Sequence, residues 1–84
     1  MTIDQEIHRF IVERLRWDAE AAELTLDYPL LERRTIDSLD TLRLIDFIEE
    51  KFAIRLADED VVPTNFATLR AMTELVARTI KMSG

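Results

Sequence analysis

Residues 36–52 read Ile36-Asp37-Ser38-Leu39-Asp40-Thr41-Leu42-Arg43-Leu44-Ile45-Asp46-Phe47-Ile48-Glu49-Glu50-Lys51-Phe52. Leu42, Ile45, Ile48 and Phe52, with Leu44 beside them, recur at helical spacing and predict a helix over Ser38–Phe52 that buries this stripe. Asp46, Glu49 and Glu50 are expected on the opposite side. Asp37 or Ser38 supplies the N-cap oxygen, since the first turn of a helix leaves amides open and either side chain can accept from them. A serine hydroxyl therefore stands at a helix start, with an acid before it and a leucine after it. Nothing adjacent in sequence activates it as a nucleophile. A serine that is presented but not activated points to an attachment point rather than an active site.

Upstream, Ile3, Ile7, Phe10, Ile11 and Leu15 follow one helix face and predict a first helix over about Ile3 to Trp17. Thr2 can cap it, with Gln5 completing a capping box. From Leu24 to Ile36 the helical period fails, and Pro29 disfavours helix at Tyr28. Leu24, Leu26, Tyr28, Leu30 and Leu31 are too apolar for a free linker. The segment is expected to be a long ordered loop whose leucines plug the core. Downstream, Ala53-Ile54-Arg55-Leu56 is expected to be extended, with Ile54 and Leu56 inward. Asp58 to Val62 is expected to form one short helical turn that Pro63 stops. Leu69, Met72, Leu75, Val76 and Ile80 predict a last helix from Thr68, its cap, to about Lys81, with Phe66 packed on the core just before it. The fold class is all-α: a bundle of three long helices and one short one.

The chain has 84 residues, 48% of them hydrophobic, with one Gly, two Pro and no Cys. Residues 1–84 are expected to form one small domain that buries about 60–65% of its unfolded surface. No apolar run reaches the length of a membrane span, and Met1-Thr2-Ile3-Asp4 lacks the basic and apolar regions of a signal peptide, so none is expected. The absence of cysteine excludes a disulfide framework and thiolate metal sites, and a cytoplasmic setting fits. The net charge of −6 is uneven. Residues 37–60 hold eight acids against Arg43, Lys51 and Arg55, a net −5, whereas residues 61–84 sum to +2. A field of that sign repels nucleic acid and steers basic protein surfaces.

Catalytic chemistry finds no constellation. His8, the one histidine, sits a turn after Asp4 with no partner motif. No Ser/His/Asp signature, HExxH or Gly-rich phosphate loop occurs. Asp58-Glu59-Asp60 lacks the glycine and distant glutamate of a calcium loop. No catalytic residue and no metal site is expected. Trp17, the methionines and the phenylalanines, at helical spacing, read as ordinary core.

Residues 36–52, the Ala53 to Asp60 run and Asn65-Phe66-Ala67-Thr68-Leu69 resemble the phosphopantetheine attachment region of acyl carrier proteins. The resemblance implies a four-helix bundle with a short third helix and a long loop between the first two. It implies that Ser38 receives 4′-phosphopantetheine from coenzyme A through a partner transferase. The arm's thiol then holds acyl or aminoacyl groups as thioesters for fatty-acid, polyketide or other specialised biosynthetic enzymes. On the same resemblance Asp37 is expected to help orient the partner and hold the helix start, and Leu39 to be an apolar contact. Asp40, Asp46, Glu49 and Glu50 are expected to meet basic docking patches on the transferase and on loading ligases or synthases, in transient, salt-sensitive encounters. The carrier is expected to be a monomer and not an enzyme.

Three departures from the family pattern stand out. Thr35 and Ile36 occupy places where the family often has glycine, so the turn before the second helix is expected to avoid positive φ at both. Arg43 stands where fatty-acid carriers often have an acid, and Asp46 where they often have an apolar residue. The Val62-Pro63-Thr64-Asn65-Phe66 run looks more like carriers of specialised pathways. Two rival readings remain: a carrier-like interaction module that is never modified, and a small apolar-ligand carrier that uses the bundle interior alone.

Overall fold

The computed structural model describes residues 2–15 and 17–83. Among them run three α-helices: α1 (Ile3–Arg14), α2 (Ser38–Phe52) and α3 (Leu69–Ser83). Three 3-10 turns, Ala21–Glu23, Asp58–Asp60 and Pro63–Phe66, lie between the helices, and no strand occurs among the described residues. The fold is all-α.

The capping box expected for α1 is present: the Thr2 side chain accepts from the Gln5 amide, and the Gln5 side chain accepts from the Thr2 amide. The helix ends earlier than its apolar stripe predicts. Leu15 is already extended, at φ −105° and ψ 134°, and the expectation beyond it runs through Arg16, outside the described residues. Trp17 has a competing attachment. Its indole N–H donates to the Glu20 carbonyl at 3.0 Å, and its ring meets the Tyr28 ring edge-on at 5.2 Å. His8 Nε2 lies 2.8 Å from the Ala21 carbonyl, a hydrogen bond that ties the first 3-10 turn back onto α1.

The leucines between α1 and α2 pack into or against the core, as their apolar character suggested. Leu24, Leu30 and Ile36 are buried, and Leu26, Tyr28 and Leu31 pack against the same cluster from the rim. Backbone bonds stitch this segment to the start of α3: Leu30 N–H donates to Ala67 O and Arg70 N–H to Leu26 O, each at 2.9 Å. Arg70 also grips Asp27 with two side-chain bonds, at 2.8 and 3.1 Å. That hydrogen bonding, with the guanidinium charge behind it, holds the Asp27 carboxyl below its ordinary range and raises Arg70 in turn.

The turn that leads into α2 avoids positive φ at Thr35 and Ile36, and the left-handed residue is Arg34 instead, at φ 55°. A residue with a Cβ loses roughly 1–2 kcal/mol in this conformation. Three backbone bonds secure the turn: Arg33 N–H to Pro29 O, Arg34 N–H to Leu31 O and Thr35 N–H to Leu30 O, at 2.9 to 3.1 Å.

After α2 the chain does not become extended at once. Ala53 is left-handed, at φ 54° and ψ 47°, and both its amide and that of Ile54 donate to Glu49 O. Beyond this cap Ile54 and Leu56 turn inward as expected. The short helical turn appears at Asp58–Asp60, but Pro63 opens the next 3-10 turn rather than stopping the previous one. Proline suits a first helical position, where its missing N–H has no partner to lose. Phe66 is buried, and the Thr68 hydroxyl accepts from Ala71 N–H at 3.1 Å to cap α3. The most extensive helix pairing is α1 with α3. α2 joins α1 through the stacked Phe10 and Phe47 rings, 4.3 Å apart, and a Lys51–Glu6 ion pair at 3.3 Å.

Candidate functional site

The start of α2 is built by two carboxylates. Asp37 is the N-cap: its Oδ1 accepts from Asp40 N–H at 2.8 Å, while Asp40 Oδ2 accepts from Asp37 N–H at 3.3 Å. Thr41 adds amide and hydroxyl donors to Asp37 O, at 2.9 and 3.0 Å. The cap is therefore the aspartate's task and not the serine's. Ser38 occupies the first helical position, exposed, with its backbone fixed by bonds that its hydroxyl does not supply.

This arrangement redistributes the acidic residues expected on the docking face. Asp40 is only 4% exposed. Its carboxylate faces the protein and completes the capping box, so it offers no surface to a partner. Glu49 is half-buried, and its Oε2 accepts from Leu56 N–H at 2.9 Å. It thus latches the segment after α2 to the helix with its side chain, and with its carbonyl through the Ala53 and Ile54 amides. Asp37, Leu39, Arg43, Asp46 and Glu50 are exposed.

The buried stripe of α2 is also rotated from its sequence reading. Asp40, Leu44 and Ile48, four residues apart, face inward, with Ile45, Phe47 and Phe52 half-buried at the sides. Leu42, expected in the core, is 58% exposed, and Leu39 is 55% exposed. The reciprocal cap is the physical reason: a helix that turns Asp40 inward must turn Leu42, two residues on, outward. The spacing of Leu39 and Leu42, three apart, was the available signal, because such residues neighbour each other on a helix surface. Together with Arg43, Asp46 and Glu50 they make an outward face that combines an apolar pair with charge of both signs, and it begins at Ser38.

A surface groove of about 870 Å³ runs beside this face between α1 and α2. Arg14, Arg43, Asp46 and Glu50 border it, with the Phe10 and Phe47 stack among its lining. No helix among the described residues is long and apolar enough to cross a membrane.

The sequence places these features among known proteins. No family model matches the chain. It is 33% identical over 61 residues to the probable acyl carrier protein PigG of Serratia sp., covering 73% of this chain and 70% of that protein. It is 39% identical over 59 residues to an acyl carrier protein of Helicobacter acinonychis, covering 70% and 73%. An acyl carrier protein of Akkermansia muciniphila is 30% identical over 83 residues, 99% of this chain and 95% of that protein. Similarity at this level across most of both partners, joined to an all-helical fold with a presented serine at the start of α2, establishes that the chain belongs to the acyl carrier protein family.

Proposed function

We propose that the protein carries acyl or aminoacyl groups as thioesters on a 4′-phosphopantetheine arm attached to Ser38. The observation that carries this reading is the division of labour at the start of α2. Asp37 and Asp40 cap the helix reciprocally, which leaves the Ser38 hydroxyl exposed and without a capping role at the first helical position. The Ser38 oxygen forms a new bond to the pantetheine-bearing phosphorus of coenzyme A. The bond to adenosine 3′,5′-bisphosphate breaks, and the serine proton passes to the transferase. Ser38 needs exposure for this and no base of its own.

The site fits such a group. The first amides of α2 and the helix dipole favour an anion at this end, and Ser38 is exposed, so a long arm can leave toward solvent. When present, the arm supplies a thiol, which this cysteine-free chain does not encode. The protein's own residues then anchor and present. We assign none of them a catalytic role.

Leu39 and Leu42 supply the apolar part of a docking face, and Asp46 and Glu50 attract basic surfaces of the transferase and of loading or consuming enzymes. Asp37 contributes charge at the rim. Arg43, inside the same face, favours partners that present an acid opposite it, which supports specialised biosynthetic enzymes over a general fatty-acid set. In the family's terms the two 3-10 turns at Asp58–Asp60 and Pro63–Phe66 stand in for the short third helix of a four-helix bundle, and residues 1–84 act as one carrier domain.

Incubation with coenzyme A, magnesium and a permissive phosphopantetheinyl transferase is expected to add one arm to the wild type and none to Ser38→Ala. Modification of Ser38→Ala, or no modification of the wild type, overturns the assignment. The exposed Leu39–Leu42 pair also suits a docking module that is never modified. Intact mass of the protein from its native host separates the two readings, since a permanently unmodified chain favours the module.

A further inference from the structure

Just upstream of α2, in a chain of net charge −6, stand two adjacent arginines, Arg33 and Arg34. Both are exposed, and both are held by structure rather than left on a free loop. The Arg33 guanidinium lies 5.8 Å from the centre of the Tyr28 ring. Tyr28 is braced edge-on by Trp17 at 5.2 Å, and Trp17 is fixed by its bond to Glu20 O. Arg34 occupies the left-handed position of a turn whose neighbour Leu30 is fully buried. Glycine or asparagine meets that backbone requirement at lower cost. What an arginine adds there is charge.

The location gives the charge a use. The Ser38 oxygen has Asp37 and Asp40 within one turn, and both carboxylates are turned to the cap. A phosphodiester at Ser38 brings a further negative charge to the segment that already carries the acidic excess. Going upstream, Arg34 and Arg33 are the first cations; going downstream, the first is Arg43, five residues away. Arg34 is four Cα steps from Ser38, at most about 14 Å of fully extended chain, which lies inside the Debye length of about 30 Å at low ionic strength. Glu32 is the acid nearest the pair in sequence, and it leaves the pair with net positive charge.

We propose that Arg33 and Arg34 form a phosphate-facing edge that offsets the charge of the phosphodiester once Ser38 is modified, so that the turn before α2 and the arm's phosphate stabilise each other. The proposal rests on modification at Ser38. The tyrosine platform sets where the Arg33 charge stands, and the left-handed turn sets that of Arg34. The interaction is sensitive to salt, because the groups are exposed.

The test compares the melting temperatures of the unmodified and modified forms at low ionic strength, in the wild type, in Arg33→Gln/Arg34→Gln and in Arg34→Gly. In the double variant the modified-minus-unmodified difference is expected to fall by about 2–5 °C relative to wild type, the size of a modest surface charge interaction in a domain of this length. The change should disappear near 1 M salt. Arg34→Gly separates strain from charge: it should raise the melting temperature of the unmodified form while still lowering the difference. An equal difference in wild type and double variant at low salt overturns the proposal. If mass spectrometry shows no arm on the wild type, it is the assignment of Ser38 that fails, and the two failures are told apart before any melting curve is read.

Discussion

Asp37 and Asp40 cap the same helix from opposite directions, each carboxylate accepting from the other residue's amide. One exchange satisfies two amides, releases Ser38 from capping and turns Asp40 inward. It also sets the rotation of α2, because every later residue follows the first turn in steps of about 100°. The outward Leu39–Leu42 pair and the inward Leu44–Ile48 pair are consequences of that rotation.

Asp40 should therefore behave as a structural acid and Asp46 as a docking acid. Asp40→Ala is expected to cost about 1 kcal/mol of stability, the size of a lost helix cap, by urea denaturation. Asp46→Ala should change stability by no more than about 0.5 kcal/mol while lowering kcat/KM of the transferase reaction at low salt. If Asp40→Ala leaves stability intact and slows the transferase as much as Asp46→Ala, the inward placement of Asp40 has no energetic meaning.

Leu42 and Leu44 are two residues apart on one helix, and truncating them should have opposite consequences. Leu44→Ala empties a fully buried site and is expected to cost about 2–5 kcal/mol. Leu42→Ala should change stability by about 0.5 kcal/mol or less and weaken transferase docking, alone and with Leu39→Ala. Thermal melts and transferase kinetics read the two effects separately. A large stability loss in Leu42→Ala would return that residue to the core.

The Asp27–Arg70 clasp gives a pH signature. Arg70's hydrogen bonds hold the Asp27 carboxyl below its ordinary value of 3.8. A group whose folded value is lowered contributes stability that is fully present above its unfolded value and is lost as pH falls through the lower, folded one. Wild type and Asp27→Asn should thus differ in stability near pH 7 and converge as pH falls below 3.8 and on through the lower folded value. The effect is small, because both partners are largely exposed. Urea midpoints across the acid range measure it. A difference that grows toward acid contradicts the clasp.

Much of the fold was legible because it rests on local chemistry. Thr2 with Gln5, and Thr68 ahead of α3, are caps that short patterns announce, and the structure forms both. The leucines between α1 and α2 were too apolar to be solvated, and they enter the core. What the pattern misjudged are places where two segments compete for one residue. Trp17, expected to end the first helix, instead meets Tyr28 and the Glu20 carbonyl. Glu49 looks like any surface acid until the chain folds back and sets the Leu56 amide against it. Pro63 reads as a stop, but it can equally open a turn.

At the site, the sequence alone was enough to single out Ser38, the acidic run behind it and the resemblance to acyl carrier proteins, because residue identities and their spacing carry those facts. It was not enough to decide which acids and leucines of α2 face a partner. Leu39, Leu42 and Leu44 are chemically identical, and apolar spacing tolerates more than one rotation of the helix. Only the tertiary structure chose among them, through the Asp37–Asp40 cap at one end, the Glu49 latch at the other and the Phe10–Phe47 stack between. Burial is a property of the assembled helices, and no residue carries it by itself.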